Sequence, residues 1–260
     1  MAHDASGEHE PSLIVEERAD RVHVVLNRPD VRNAIDQQTV DELHAVCERL
    51  EVDPRVLILS GAGGTFASGA DIAQLLDRGR DDALKGINST IFIRIAALPM
   101  PVIAAVDGYA LGGGAELAYA ADFRLASSTA KFGNPEVGLG IIAAAGATWR
   151  LPALVGEPLA KQLLLAGRIL DATEALAAGL VVSVHEPHEL LAAADALADR
   201  ILKNDPAALM ATKRALAAPS EAHPALEIEE QAVLFESDAK RERMTAFLDR
   251  KSQSGRKTNT

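Results

Sequence analysis

Length, composition and charge define the broad class of this 260-residue chain. Its 48% hydrophobic and 24% charged residues are typical of a globular protein with a sizeable core. The net charge of -11 argues against non-specific nucleic-acid binding, because phosphates are bound by clustered basic residues that the sequence does not show. Cys47 is the only cysteine, so no intramolecular disulfide can form, and we expect a reducing, cytoplasmic location.

The sequence also argues against a membrane segment or a secretory signal. Residues 1–11 are acidic and polar, so we expect a flexible tail and no signal peptide. Asp107, Glu116 and Asp122 interrupt the most hydrophobic stretch, so no run approaches the roughly 20 apolar residues that a membrane helix needs.

The first third of the chain predicts a hairpin, a helix and a buried strand. β-Branched-rich runs at 13–15 and 22–26, separated by 18–21, predict the hairpin. Apolar residues recur at three- and four-residue steps after Asp36, a good N-cap, and predict a helix. A short buried strand follows at 55–60 and ends in a glycine-rich loop.

The same order of strand, glycine loop and helix returns further along the chain. We predict a strand at 101–106, a loop through the triple glycine, a helix at 115–121, and further strands at 123–126 and 180–184. This alternation predicts an α/β core over 12–188 with a mainly internal sheet. Helical periodicity dominates 189–250, and we expect residues 251–260 to be a flexible tail.

The two glycine-rich loops are candidate binding elements, because glycine lets backbone N–H groups approach a ligand closely. Neither loop is a nucleotide-binding motif, since Phe66 replaces the third glycine of a dinucleotide loop and no Gly-Lys-Ser/Thr sequence occurs. The Ala70 amide lies near one predicted helix N-terminus, and the triple glycine 112–114 precedes another. Two such amides aimed at one point form an oxyanion hole. The alternative is a pair of tight turns that pack backbone against backbone.

Two acidic residues stand in apolar surroundings. Glu116 follows the triple glycine within an almost uncharged helix, and Glu136 lies in an apolar, glycine-punctuated loop. A buried carboxylate is costly unless it is paired or used. Each alone could be a satisfied buried acid, but together they can hold and polarise one water, one accepting a proton and the other donating one.

Other candidates are weaker. His185 and His188 are three residues apart, but Pro187 breaks the helix that would aim them together, so we expect no metal site. Cys47 fits the apolar face of its helix and is interpreted as a core residue. Ser68 is not part of a Gly-x-Ser-x-Gly nucleophile elbow.

Four ordered segments resemble the enoyl-CoA hydratase/isomerase, or crotonase, family. The resemblance spans about residues 12 to 250. The segments are Leu26-Asn27-Arg28-Pro29 with Asn33-Ala34, then 66–72, then Ala105 through Leu117 with the triple glycine, and Phe132-Gly133-Asn134-Pro135-Glu136.

The resemblance implies a spiral of repeated strand-strand-helix units, with a C-terminal helical region that forms a homotrimer or a dimer of trimers. It also implies a coenzyme A thioester as substrate and no further cofactor. By motif position, the amides of Ala70 and Gly113 correspond to the oxyanion hole, and Glu116 and Glu136 to both glutamates of the hydratases. As substrate contacts we predict Arg28, Arg32, Ala34, Ser68, Ala70, Asp71, Ile72, Gly112, Gly113, Pro135 and Trp149.

The implied activity is that of an enoyl-CoA hydratase, a lyase of fatty acid metabolism that adds water to a trans-2-enoyl-CoA and gives a 3-hydroxyacyl-CoA. Which glutamate is the acid and which the base stays open. One alternative is another crotonase-type reaction, such as isomerisation of an enoyl-CoA or dehydration of a substituted hydroxyacyl-CoA. A second alternative is a protein that binds CoA thioesters without turnover.

Two features qualify the resemblance. Where hydratases commonly have Ile-Pro-Gly-x-Gly-Gly-Thr-Gln-Arg-Leu, residues 142–151 lack the proline and two glycines and contain Trp149, so we expect an altered acyl preference. CoA carries phosphates while the chain is acidic, so local cations are needed. The candidates are Arg28, Arg32 and, from a neighbouring subunit, Lys251.

Overall fold

Two β-sheets organise the first part of the chain. The computed structural model describes residues 11–257, with side chains as far as residue 250. The strands in this range are β1 (Leu13–Glu17), β2 (Arg21–Leu26), β3 (Val56–Gly61), β4 (Val102–Val106), β5 (Tyr109–Leu111), β6 (Phe123–Ser127), β7 (Lys131–Gly133), β8 (Ile169–Asp171) and β9 (Ser183–His185).

The larger sheet has the strand order β1-β2-β3-β4-β6-β9. Strand β1 is antiparallel to β2, and every other neighbouring pair is parallel. All five residues of β4 and the first five of β3 are buried, which explains their unbroken apolar sequences. The smaller sheet has the order β5-β7-β8, with β5 parallel to β7.

The small sheet brings the two acidic segments together. Leu111 of β5 is in register with Gly133 of β7, and the Gly112 N–H donates to the Gly133 carbonyl at 2.9 Å. Because the strands are parallel, the chain leaves both at the same end. The segments that carry Glu116 and Glu136 therefore start side by side.

Helices cover the sheets and make up the rest of the chain. In α1, Asp36 accepts from the Thr39 amide as N-cap, and the buried face includes Val40, Leu43 and Leu50. The helices are α1 (Gln37–Val52), α2 (Ile72–Asp77), α3 (Arg80–Lys85), α4 (Ile87–Ala96), α5 (Gly113–Ala120), α6 (Ala147–Val155), α7 (Glu157–Ala166), α8 (Ala172–Ala177), α9 (Leu190–Leu202), α10 (Pro206–Ala217), α11 (Ala225–Phe235) and α12 (Asp238–Lys257).

The predicted hairpin, first helix and first buried strands are confirmed, whereas the last predicted strand is displaced. Strand β9 begins at Ser183, because the amides of Leu180 and Val181 donate to the Ala175 carbonyl of α8 and not to a neighbouring strand. Strands β5, β7 and β8 have three residues each and were not predicted. Such short strands contain too few residues to show a periodic pattern.

The described part of the chain divides into two compact units that separate after residue 200, within α9. The functional division into a catalytic core at 12–188 and an oligomerisation region at 189–250 stays a prediction. Arg21 of β2 explains why α9 belongs mainly to the first unit. Its buried guanidinium donates to Asp195 at 2.9 Å and also pairs with Asp199. In the second unit, Arg214 of α10 donates twice to Glu230 of α11, each time at 2.7 Å.

The expected tails at 1–11 and 251–260 fall outside the described residues, apart from Pro11 and the backbone of 251–257, which continues α12. No helix within the described range has the length and apolar composition needed to cross a lipid bilayer.

Candidate active site

A cavity of about 440 Å³ opens in the first unit where the two glycine-rich loops meet. Both Glu116 and Glu136 line it. Its wall also contains predicted substrate contacts, namely Ser68, Ala70, Ile72, Gly112, Gly113 and Pro135. The structure therefore brings together predicted site residues that are distant in the chain, from Ser68 to Glu136.

The three consecutive glycines at the start of α5 serve three different purposes. Gly112 has φ 51°, and a Cβ there would lie 3.2 Å from Glu136 Oε1. A Cβ on Gly113 would lie 3.4 Å from the Ala70 nitrogen and would fill the space between the two loops. A Cβ on Gly114 would lie 2.2 Å from the Ala67 carbonyl oxygen, so this glycine permits close backbone packing.

The Ala70 and Gly113 amides lie near each other and remain available to a ligand. Around Ala70, the Ile35 amide donates to the Gly69 carbonyl at 2.8 Å and the Asp71 amide to the Ile35 carbonyl at 3.0 Å. Within residues 11–250, neither the Ala70 nor the Gly113 amide donates to a protein acceptor. A pair of fixed, unused N–H groups beside a cavity can stabilise negative charge on a carbonyl oxygen.

Glu116 lies in the first turn of α5 and is 3% exposed. Its Oε1 accepts from the Ala145 amide at 2.8 Å and from the Ala147 amide at 3.0 Å. Burial raises the pKa of Glu116 to about 7, although the two amide bonds oppose the shift. A carboxyl that titrates near neutrality can exchange a proton with a bound water.

Glu136 begins a short 3₁₀ turn, Glu136–Leu139, directly after the small sheet. Its Oε1 accepts from the Asn134 side chain at 3.3 Å, while its buried Oε2 has no partner in the described part of the chain. Burial raises the pKa of Glu136 above the ordinary carboxyl value. The unpartnered oxygen is therefore the one that can engage a ligand.

Two further polar side chains near the cavity have buried atoms without partners among the described residues. Arg150 Nη1 is one of them, and burial lowers the pKa of this guanidinium although the Glu116 charge opposes the shift. Asn88 Oδ1 is the other, and Asn88 lines the cavity beside Gly113. Sequence reasoning missed Asn88, since nothing in the pattern of α4 distinguishes it from a surface amide.

The predicted contacts Arg28, Ala34 and Asp71 do not line the cavity. Arg28 donates to the Ala34 carbonyl at 2.5 Å and pairs with the N-cap carboxylates Asp36 at 3.1 Å and Asp71 at 3.5 Å. Asp71 in turn accepts from two amides of α2. This group fastens the Ala70 loop to the start of α1, which suits a positioning role. Direct contact with substrate stays a prediction for all three residues.

Arg32 differs from Arg28 in its surroundings. It is exposed, and its carbonyl accepts from the Ser68 amide at 3.0 Å, beside the cavity wall. No ion pair of its side chain is seen within residues 11–250, so its charge is available to an anionic ligand. Lys251, the other proposed cation, has a side chain that lies outside the described residues.

The loop at 142–151 supplies two backbone hydrogen bonds to Glu116 Oε1. The amides of Ala145 and Ala147 supply them despite the missing glycines. Ile142, Ala144 and Ala145 line the cavity, so the loop does contribute to its wall. Trp149 lies outside the lining, is 50% exposed and stacks on Arg150 at 4.9 Å; its contact with substrate stays a prediction.

The expected core position of Cys47 is confirmed, because the residue is 1% exposed and burial raises the pKa of its thiol to about 12. His185 Nε2 lies 2.8 Å from the Ser183 hydroxyl. Among the described residues, no group of three or more His, Cys, Asp or Glu side chains is arranged to hold a metal ion.

Known proteins resemble this chain over nearly its whole length. Residues 17–255 match the sequence profile described as enoyl-CoA hydratase/isomerase. The chain is 40% identical to the short-chain-enoyl-CoA hydratase of Clostridium acetobutylicum, over 94% of this chain and 97% of the relative. It is also 40% identical to the crotonyl-CoA hydratase of Syntrophomonas wolfei, over 92% of this chain and 96% of the relative.

Solved structures show the same likeness in three dimensions. The crystal structure of an enoyl-CoA hydratase from Bacillus anthracis superposes with a TM-score of 0.87 at 32% identity, covering 92% of this chain and 96% of that one. The predicted α/β, crotonase-like fold is thereby confirmed.

Proposed function

Because the chain belongs to the enoyl-CoA hydratase/isomerase family, we propose that it adds water across the double bond of a trans-2-enoyl-CoA and releases a 3-hydroxyacyl-CoA. One observation carries the proposal: a single cavity contains two buried carboxyls and lies beside two amides that no described protein group uses. Relatives named for hydration of short-chain enoyl-CoA and crotonyl-CoA support the same chemistry.

The amides act on the thioester carbonyl. In this proposal the carbonyl oxygen accepts hydrogen bonds from Ala70 and Gly113, which draws electron density from the double bond and makes the β carbon electrophilic. The negative charge on that oxygen grows as water attacks, so the two bonds strengthen in the transition state. Binding energy of this kind raises kcat rather than only lowering KM.

The carboxyls move the protons. Ionised Glu116 removes a proton from water as the water oxygen bonds to the β carbon, and the double-bond electrons form an enolate. Protonated Glu136 then gives its proton to the α carbon. Glu116 now holds one proton and Glu136 has lost one, so a proton returns from the first to the second through water in the cavity. The net change is addition of one water.

A series of trans-2-enoyl-CoA substrates tests the proposal. Hydration removes the conjugated double bond, so loss of enoyl absorbance measures the rate for each chain length. The apolar side chains Ile72, Leu75, Leu139 and Ile142 line the cavity, so turnover is expected for substrates with an apolar acyl chain. Absence of hydration across the whole series, with enoyl-CoA recovered unchanged, would refute the proposal.

Parallel assays with 3-enoyl-CoA and substituted hydroxyacyl-CoA substrates separate hydration from isomerisation and dehydration. Isomerisation needs one base to shift a proton along the chain, whereas the pair of buried carboxyls fits addition of water better. Faster isomerisation than hydration would reassign the reaction within the family.

Coenzyme A is part of the substrate, so we expect turnover to survive exhaustive treatment with a chelator. In the second unit Leu216, Ile228, Val233, Phe247 and Leu248 are each more than 60% exposed, and such apolar surface favours a homotrimer or a dimer of trimers. Hydration of an enoyl-CoA fits a place in fatty acid metabolism, and the single cysteine suits a reducing, cytoplasmic setting. A monomeric mass in light scattering at micromolar concentration would contradict the assembly.

A further inference from the structure

A buried tyrosine and a buried asparagine connect the two halves of the proposed site. Asn134 is 1% exposed and Tyr119 is 3% exposed. The Asn134 Nδ2 lies 3.3 Å from Glu136 Oε1 and 3.4 Å from the Gly112 carbonyl oxygen. On its other side, Asn134 Oδ1 lies 3.1 Å from the Tyr119 hydroxyl.

These contacts fix the orientation of the Asn134 amide. The Gly112 carbonyl can only accept a hydrogen bond, so the atom that faces it must be the amide nitrogen. The Asn134 oxygen therefore faces Tyr119, whose hydroxyl donates to it. In a flipped amide, Asn134 Oδ1 would face the Gly112 carbonyl oxygen, and Glu136 Oε1 would lose its hydrogen-bond donor.

The fixed amide determines which oxygen of Glu136 carries the proton. Nδ2 donates to Oε1, so Oε1 is held as an acceptor. Oε2 has no partner among the described residues. When Glu136 is protonated, the proton therefore resides on Oε2, the oxygen left free to deliver it to a ligand.

The same amide acts on the oxyanion hole. The Gly112 carbonyl and the Gly113 N–H belong to one peptide group, and this group receives the second Asn134 contact at its oxygen. A bond to the carbonyl of a peptide polarises it and makes its N–H a stronger donor. Asn134 thus contacts the acid directly and the oxyanion donor through one peptide bond.

The geometry points to Asn134, oriented by Tyr119, as a positioning residue that couples the proton donor Glu136 to the oxyanion donor Gly113. This inference rests on the proposed hydration. The reacting atoms meet neither Asn134 nor Tyr119, since neither residue lines the cavity. Their role is to select one orientation of the groups that do.

Replacing Tyr119 by Phe removes a single buried hydroxyl and leaves the cavity wall intact. The amide then loses its orienting partner, so kcat for hydration should fall by roughly tenfold while KM stays within about twofold. Tyr109→Phe is the matched control, because Tyr109 lies on β5 of the same segment, is 46% exposed and is outside the cavity lining. Equal kcat in the two variants would overturn the inference.

Asn134→Asp keeps the shape but puts an acceptor in place of the donor. The pKa of Glu136 loses a contact that lowers it, so the alkaline limb of the pH–rate profile should move to higher pH. A bound 2,4-dienoyl-CoA reports on the oxyanion hole, because its absorption maximum shifts to longer wavelength as the thioester carbonyl is polarised. The variant should reduce that shift by about half. An unchanged pH limb and an unchanged absorption shift would show a purely structural role.

The outcomes distinguish this inference from the proposed function. If the wild-type chain hydrates enoyl-CoA and the Tyr119→Phe variant matches it, only the inference fails. If the wild-type chain does not hydrate any enoyl-CoA, the proposed function fails, and the bound dienoyl-CoA still tests the contact to Gly112. If Asn134→Asp fails to fold, the comparison of kcat between Tyr119→Phe and Tyr109→Phe decides whether the inference holds.

Discussion

Glu116 shows how burial and hydrogen bonding compete at one residue. Two backbone amides donate to its Oε1 and favour the charged form, yet loss of solvation outweighs them. The result is a carboxyl whose pKa is about 7, against an ordinary value of 4.5. At neutral pH such a carboxyl is populated in both its ionised and its protonated form, so it can accept and release a proton readily.

The raised pKa has a consequence for stability. Between the ordinary value and about 7, the folded protein binds a proton that the unfolded chain has released, so stability falls as pH rises through this window. The shift corresponds to about 3 kcal/mol. Glu116→Gln keeps an oxygen acceptor but does not titrate. Between about pH 5 and about pH 8, denaturant unfolding should show the wild type losing more stability than the variant. Parallel pH profiles for the two proteins would contradict the raised pKa.

The acid pair should behave as a unit. Replacing either Glu116 or Glu136 by Gln preserves the side-chain shape, so each single change should lower hydration by at least about a hundredfold. One water serves both groups, so the double variant should be little worse than the poorer single variant. Initial rates with a trans-2-enoyl-CoA measure all three. Near-normal hydration by Glu116→Gln would contradict the proposed role of Glu116. Isomerisation that survives Glu116→Gln but not Glu136→Gln would favour an isomerase, in which only Glu136 is needed.

At the scale of elements, the start of α5 converts three similar glycines into three unlike positions. Gly112 requires a left-handed backbone, Gly113 leaves room in front of an amide, and Gly114 allows the helix to approach the Ala67 loop. Gly112 keeps the space beside Glu136 open, and Gly114 permits the packing of the fold. Gly113 is needed only for the space that a ligand would occupy.

This difference predicts opposite effects for two neighbouring substitutions. Gly113→Ala should preserve or slightly raise the melting temperature, because alanine favours helix by up to about 1 kcal/mol. Its Cβ would occupy the space 3.4 Å from the Ala70 nitrogen, and hydration should fall on the order of a hundredfold. Gly114→Ala should instead destabilise the fold by about 1–3 kcal/mol or more, since its Cβ would overlap the Ala67 carbonyl. Thermal melts and rates on both variants test the contrast.

The sequence predicted those elements whose pattern is long enough to be periodic. Helix α1, strands β3 and β4 and the candidate carboxyls follow from apolar spacing and from acids in apolar surroundings. The small sheet β5-β7-β8 was not predicted, although it aligns the acidic segments, because pairing of three-residue strands depends on partners distant in the chain. Asn134 was missed for the same reason, since its partners come from three separate segments.

The altered loop at 142–151 provides a separate test of acyl preference. Ala144 lines the cavity, whereas Ala147 is fully buried and supplies an amide to Glu116. Ala144→Gly should enlarge and loosen the wall, and change the ratio of kcat/KM between long and short enoyl-CoA substrates by about fivefold. Ala147→Gly is the control and should lower the rate for all chain lengths alike. Identical chain-length profiles in the wild type and Ala144→Gly would refute the assignment.

At the scale of the whole molecule, several cations are held in ion pairs within the fold. In the first unit Arg21 is committed to Asp195 and Asp199, and in the second Arg214 is committed to Glu230. These pairs hold helices in place and add little net attraction for a ligand. The chain as a whole keeps a net charge of -11.

The ion pairs of Arg28 with Asp36 and Asp71 affect the rate at which an anionic ligand associates with this protein. Arg28 is already neutralised and cannot attract a phosphorylated ligand from a distance. The exposed Arg32 and the cavity residue Arg78 remain, but the approaching polyanion first encounters the field of a chain with a net charge of -11. Repulsion of this kind is screened by added salt. Capture of acyl-CoA, followed as kcat/KM, should consequently quicken between low and moderate ionic strength. Arg32→Glu should steepen the salt dependence and Arg32→Gln should change it less, whereas capture that slows with salt would reveal a cationic entrance.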